Sequence, residues 1–330
     1  MTARYFGRMS ACCGSGVDFC REDGRAVDRC GIAIRKWGSM MGKITLQGVK
    51  NARDLGGILT ADGREIRKKR LLKCGQLSEA TQKDIEILRE EYGVKLIVDL
   101  RTEGERKAYP DPEIRGVSNI WNPIFKEDIQ GAGVFTPGEK EILEKHLKSL
   151  FILSHRFDSM EEEAVKDVRE MIQEKEFDPE VYMARMYHKF LNNQVVQKQI
   201  KQFFAMLVNR RGGAVLWHCG AGKDRSGICA ALLLYALGVP KETIIENYAL
   251  TAESSEDTVD YILEKLFPAD VPGNEEYQSL ARRIFGAKTC YIEEFFRAIE
   301  KDFISVDNYL QKAVELHVDN IVRLKTLYLK

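Results

Sequence analysis

The chain is defined first by what it lacks. It contains no apolar run long enough to cross a bilayer, and its longest apolar stretches, residues 229–237 and 214–217, have the length of core elements. It has no excess of either charge: 50 Lys and Arg balance 50 Asp and Glu, so no global basic field of the kind that gathers nucleic acid exists. Preference for an anion must then come from a local site. Cysteine is sparse, eight in 330 residues, too few for a disulfide scaffold. The N-terminus has no continuous apolar core of a secretory signal. Both features favour a reduced, cytoplasmic chain, although secretion without a signal peptide is compatible with the same sequence. There is no internal repeat and no low-complexity tract. What remains is ordinary for a globular protein, 44% apolar and 30% charged, with length enough for one large domain or two modest ones.

Cys12, Cys13, Cys20 and Cys30 crowd the first part of the chain without any C-x-x-C pair, so the spacing gives little support to a zinc site. Residues 1–43 are rich in glycine and poor in apolar periodicity. They read as a disordered extension, with Met40 and Met41 offering a second start, ahead of a domain spanning 44–330. Within that domain, residues 48–57 are dense in turn formers. Residues 78–92 follow as a helix with Ser78 as N-cap and Ile85, Leu88 and Tyr92 at helical spacing, and 94–100 (VKLIVDL) is a strand. The stretch 123–180 is rich in Glu and Lys and predicts amphipathic helices, either a lid over the site or a plain surface pair. Residues 182–209 predict one helix with Tyr187, Phe190, Ile200, Phe204 and Leu207 in the core. A buried strand at 214–218 (AVLWH), an apolar helix at 226–237 closed by Gly238 and Pro240, and helices over 242–247 and 291–329 complete the pattern. Strands that lead into loops and helices predict an α/β fold, a central, mostly parallel sheet flanked by helices.

The chemistry concentrates in His218-Cys219-Gly220-Ala221-Gly222-Lys223-Asp224-Arg225-Ser226-Gly227, between the second strand and its helix. There, successive backbone N–H groups and the positive end of a helix can surround an oxyanion, and the small residues at Gly220, Ala221 and Gly222 permit close approach. Arg225 brings a planar fork suited to two phosphoryl oxygens. The same groups favour a thiolate at Cys219, and a thiolate facing a phosphorus held by a guanidinium is set for covalent phosphoryl transfer, with the Ser226 hydroxyl able to donate to the departing sulfur. A nucleotide P-loop is excluded, because Asp224 and Trp217 stand where that motif needs Ser or Thr and Gly.

Cys-x5-Arg followed by Ser is the signature of the cysteine-based protein tyrosine phosphatase superfamily, and HCGAGKDRSG resembles its bacterial tyrosine-phosphatase-like branch, whose loop reads HCxxGKDR. Asn51-Ala52-Arg53-Asp54-Leu55-Gly56-Gly57 resembles that family's N-F-R-D-L-G-G, with Ala52 in place of an aromatic. Residues 72–78 resemble its R-S-x-x-L-S segment with Cys74 at the serine, and Val98-Asp99-Leu100-Arg101 matches V-D-L-R. The resemblance implies a phosphatase without metal or cofactor that works through a phosphocysteine. It implies a phosphate site of Gly220, Ala221, Gly222, Lys223, Asp224, Arg225 and Ser226, with His218 holding the loop from behind. Two aspartates compete for the general acid, Asp224 within the loop and Asp99 at the end of a neighbouring strand, the latter with an ion pair to Arg101 as its plainer role. Lys223, at the rim of the loop, suits substrates that carry further phosphates, as in phosphoinositide phosphatases of this design. The substrates implied are phosphotyrosine proteins, with phosphoserine, phosphothreonine and phosphoinositides as alternatives. A catalytically dead phosphate-binding module and a sulfur-transfer enzyme are the readings from other classes.

Overall fold

The computed structural model describes residues 42–124, 162–174 and 178–330, together with the backbone of 20–22 and 25–27. The chain forms two units, divided between Met41 and Gly42. In the first, β1 (Cys20–Glu22) and β2 (Arg25–Val27) pair antiparallel, with Cys20 opposite Val27. They lie in the segment whose composition predicts no structure; the rest of that segment and the side chains of its four cysteines fall outside the described residues.

The second unit is built on a five-stranded sheet of β3 (Arg53–Asp54), β4 (Leu71–Cys74), β5 (Val94–Asp99), β6 (Ser118–Trp121) and β7 (Ala214–His218). The order is β3-β4-β7-β5-β6, antiparallel between β3 and β4 and parallel elsewhere. The helices are α1 (Gln82–Glu86), which runs on into a wider turn at Ile87–Glu91, then α2 (Glu103–Ala108), α3 (Glu162–Gln173), α4 (Pro179–Asn192) and α5 (Gln194–Val208). After β7 come α6 (Asp224–Leu237), α7 (Lys241–Leu266), α8 (Asn274–Phe285), α9 (Thr289–Phe303), α10 (Val306–Lys312) and α11 (Val318–Tyr328). None of the described helices is long and apolar enough to cross a membrane.

The strand period of two sorts side chains to opposite faces. Along β7, Val215 and Trp217 enter the core beneath the larger helical layer, whereas Ala214 and Leu216 enter a smaller core with Leu72, Ile97, Leu88 and Ile44. Helix α6 sits in the larger core and is buried along nearly its whole length; each leucine of Leu232, Leu233, Leu234 and Leu237 contributes roughly 1.5–3 kcal/mol by leaving water. Trp217 pins it to the sheet, donating from Nε1 to the Ser226 carbonyl at 3.2 Å and packing edge-on against Phe203.

Register aligns one edge of the sheet. Cys74 of β4 and Asp99 of β5 both stand level with His218 of β7, so the loops after all three strands gather at one carboxyl edge of the sheet. In open parallel sheets this is where ligands bind.

Three local expectations need correction. The helix after residue 78 is capped by Thr81, not Ser78: the Thr81 hydroxyl accepts from Asp84 N while the Asp84 carboxylate accepts from Thr81 N, a reciprocal box that Ser78 has no partner to form. The stretch 182–209 is two helices, broken at Asn193, whose side chain caps α5. Helix α6 begins at Asp224 and not at residue 226, which puts Asp224 and Arg225 in its first turn. The expected helical stretch 123–180 lies outside the described residues at 125–161 and 175–177; among its described residues are the helical α3 and the start of α4.

Candidate active site

The loop between β7 and α6 is shaped by its carbonyls. Gly220 O accepts from Gln76 N at 2.7 Å, Ala221 O and Gly222 O both accept from Asn51 Nδ2 at 3.2 and 2.9 Å, and Lys73 Nζ reaches Gly222 O at 3.4 Å. Three successive carbonyls are thus held toward the β3–β4 side. A trans peptide points its N–H opposite to its C=O, so the amides of Ala221, Gly222 and Lys223 face the other side of the loop, as in an anion nest. Gly222 adopts φ +68, and a Cβ there would fall 2.6 Å from Cys74 O, so only glycine lets the loop lie this close to β4. Asn51 itself sits at φ 52, a left-handed turn that Asn tolerates better than most residues.

Cys219 is buried, on the face of the sheet that α6 covers. Arg225, also buried, is oriented by Glu105 of α2: its two terminal nitrogens donate to the two Glu105 carboxylate oxygens at 2.6 and 2.7 Å. Burial opposes the guanidinium's charge, but the Glu105 carboxylate more than offsets it and keeps Arg225 protonated. Glu105 also accepts from Thr102 N at 2.6 Å, closing a T-x-x-E box at the start of α2. One carboxylate therefore caps a helix and aims the arginine.

Asp224 sits at the first position of α6, partly exposed. Its Oδ1 accepts from the Tyr187 hydroxyl at 2.8 Å, and its Oδ2 lies 3.7 Å from Lys223 Nζ. Lys223 is turned away from the rim expected of it: its ammonium donates to the carbonyls of Ile284, Phe285 and Gly286 at 2.8, 3.3 and 3.2 Å, at the C-terminus of α8. Three carbonyls match the three N–H bonds of an ammonium, and the negative end of the helix attracts it. Ser226 is buried, and its hydroxyl has no hydrogen-bond partner among the described residues.

Asp99 is fully buried, with Oδ1 accepting from Arg101 N and Nε at 3.0 and 2.9 Å and Oδ2 from Arg101 Nη2 at 2.9 Å; Arg106 Nε lies 3.1 Å from the same Oδ2. Arg101 continues to Asp111 at 2.8 Å. His218 stands between this network and the loop, with Nδ1 3.2 Å from Cys219 O and Nε2 3.0 Å from Asp111 Oδ2. Burial works against ionisation of Asp111, yet the facing His218 and Arg101 bring its carboxyl down to about 2. Asp99, Asp111 and His218 lie close enough together to face one cation, and the Arg101 guanidinium, bonded to both carboxylates, supplies it. A further group, Lys73, lies buried under the loop beside Thr251, its Nζ 3.2 Å from Thr251 Oγ1, and burial followed by the Arg53 charge lowers it to about 8.

Of the residues singled out in the sequence, the structure gathers Cys219, Gly220, Ala221, Gly222, Asp224, Arg225 and Ser226 in one loop and helix turn, with His218 behind. It sets Asp99 in a closed ion-pair network and Lys223 against α8. Glu105, Asp111, Lys73 and Tyr187 complete the surroundings and were not expected there. Only Glu105 carried a signal, the Thr102–Glu105 capping pattern just after V-D-L-R.

The tyrosine phosphatase family matches residues 44–330, and the chain belongs to it. A Cupriavidus necator protein named "Putative tyrosine-protein phosphatase" is 29% identical over 272 residues, 82% of this chain and 83% of its own length. A tyrosine-protein phosphatase of Nostoc commune is 43% identical over 83 residues, 23% of this chain and 28% of its own. The triple specificity protein phosphatase PtpB of Mycobacterium tuberculosis is 25% identical over 138 residues, 40% of this chain and 49% of its own. The protein is accordingly a phosphatase, a hydrolase with the α/β architecture of its family.

Proposed function

We propose that the enzyme hydrolyses phosphomonoesters, phosphotyrosine in proteins first among them, through a phosphocysteine on Cys219, in a reducing cytoplasm. The reading rests on one observation: a buried cysteine and a carboxylate-anchored arginine bracket a loop whose amides face away from its tethered carbonyls, at the start of a helix. The Cys219 sulfur attacks phosphorus as the bond to the leaving oxygen breaks, and Asp224 gives that oxygen a proton. Water then attacks the phosphocysteine, passing a proton to Asp224, and inorganic phosphate leaves as the thiolate is restored. Arg225 and the loop amides hold the equatorial oxygens in both steps, where charge develops. Ser226, buried and with its hydroxyl unpartnered among the described residues, donates to the departing sulfur in this scheme.

The commitment of both Asp99 oxygens to Arg101 favours Asp224 as the acid. The commitment of Lys223 to α8 leaves one phosphate fork rather than two cationic sites, which favours a single phosphoryl group over polyphosphorylated inositol. The experiment is phosphate release from phosphotyrosine, phosphoserine and phosphothreonine peptides and from soluble inositol-lipid head groups under identical conditions, by wild type and Cys219→Ser. Cleavage of head groups alone overturns the protein substrate; full turnover by Cys219→Ser overturns the mechanism. Phosphate binding without turnover in wild type leaves only a binding module.

A further inference from the structure

We propose that Tyr187 and Tyr248 form a hydrogen-bond relay that positions Asp224 for proton transfer, an inference that rests on Asp224 being the general acid. The two phenols come from different helices, α4 and α7, and meet the first turn of α6. Tyr187 donates its one hydroxyl hydrogen to Asp224 Oδ1 at 2.8 Å, and the Tyr248 oxygen stands 2.7 Å from the Tyr187 oxygen. Because Tyr187 has no second hydrogen to give, Tyr248 is the donor in that contact, and the chain runs Tyr248 to Tyr187 to Asp224.

The surroundings are built for that path. Tyr187 is fully buried, among Phe190, Tyr291 and Phe295 at centroid distances of 5.8, 6.3 and 6.2 Å. Tyr248 is admitted by the absence of a side chain on α6: a Cβ at Gly227 would lie 3.0 Å from its ring. Burial keeps both phenols un-ionised well above their ordinary range, so they remain donors throughout the working pH of a phosphatase. With Oδ1 tied down, the carboxyl is held in one orientation, and Oδ2, 3.7 Å from Lys223 Nζ, is the oxygen left to carry the proton. A carboxyl at a helix N-terminus, exposed to water on one side, would otherwise rotate among several rotamers, and each misplaced population is lost to the transition state. Tyr187 and Tyr248 touch no substrate in this scheme; they act through Asp224.

Leaving-group dependence reads this role. An acid matters for a poor leaving group and hardly at all for a good one, so kcat/KM is measured on phenyl phosphate and on 4-nitrophenyl phosphate for wild type, Tyr187→Phe, Tyr248→Phe and Asp224→Asn. Tyr187→Phe keeps the ring and removes the donor; turnover of phenyl phosphate falls roughly tenfold or more while 4-nitrophenyl phosphate stays within about twofold. Tyr248→Phe shifts the same ratio in the same direction, by less, and gives the reading independently should Tyr187→Phe fold poorly. Equal losses on both esters in the two tyrosine variants, or no loss, overturn the relay while a selective loss in Asp224→Asn leaves the acid standing. If Asp224→Asn itself loses both esters equally, the acid assignment falls and the relay with it.

Discussion

The buried ion pair between Glu105 and Arg225 can be tested as a unit. Both side chains are more than nine-tenths buried, and two N···O contacts of 2.6 and 2.7 Å join them. Removing one partner of such a pair strands the other charge away from water, at a cost of about 3–5 kcal/mol. Glu105→Gln keeps an oxygen for Thr102 N and loses the charge, whereas Glu105→Ala also loses the helix cap, worth about 1 kcal/mol more. In a domain of this size each kcal/mol moves the melting temperature by about 2–4 °C, so Glu105→Gln should melt on the order of 10 °C lower. The same variant frees the guanidinium that is to grip phosphate, and kcat/KM should drop by up to about a hundredfold, the scale of a 1 Å misplacement. Urea unfolding of Glu105→Ala, Arg225→Ala and the double variant isolates the coupling. A shared contact predicts that the double variant is at least about 2 kcal/mol more stable than the summed singles would give. Additivity within about 0.5 kcal/mol would refute the argument, because it would mean that the pair contributes nothing as a pair.

Gly222→Ala places a Cβ against Cys74 O in a left-handed backbone; the strained conformation alone costs about 1–2 kcal/mol, and we expect a folded protein whose kcat/KM on an aryl phosphate falls at least about tenfold. Asp111, held at about 2 against an ordinary 3.8, contributes stability that is whole above pH 3.8 and lost as pH falls through 2; urea titrations should show Asp111→Asn removing roughly 2 kcal/mol of acid dependence across that window. Between pH 8 and 10.5 Lys73, lowered to about 8 from 10.5, has shed its proton in the folded state while the unfolded chain still holds it, so its contribution is present above 10.5 and lost as pH falls through 8. Lys73→Met should therefore erase a rise in stability of roughly 2 kcal/mol between pH 8 and 10, measured as the difference from wild type; an unchanged difference would contradict the buried ammonium.

The parts of this architecture written in contiguous residues were legible. AVLWH is apolar on both faces and β-branched or aromatic enough to read as a central strand, and the loop after it combines Cys, three small residues and Arg in a spacing that few structures use. The parts that depend on distant segments were not. Nothing near Tyr187 in the sequence distinguishes it from the core residues Phe190 and Phe204, and its hydroxyl reaches Asp224 only because α4 folds back over the first turn of α6. Asp111 lies in a proline-flanked irregular segment, and its partner His218 is more than a hundred residues away. Lys223 shows the limit differently: a lysine beside a phosphate loop reads as a second phosphate site, but the carbonyls at the end of α8, a helix absent from the sequence reading, outbid that role. Thr81 overtook Ser78 as a cap because a cap is decided by its reciprocal partner, Asp84, and not by the first hydroxyl met along the chain.

On the proposed function, these placements would let a chain with no net charge hold a dianion. Three cations near the loop have internal partners: Arg225 has Glu105, Lys223 has the α8 carbonyls, Arg101 has Asp99 and Asp111. A guanidinium offers five N–H bonds and Glu105 uses two, so this carboxylate alone does not exhaust the fork. The ion pair fixes the plane of the fork during folding, and the reorganisation that a free arginine would need is spent before the reaction begins. In the proposed mechanism the attraction that remains for the substrate is short-ranged, carried by backbone amides and one oriented side chain. It discriminates by fit within the loop rather than by gathering anions from a distance.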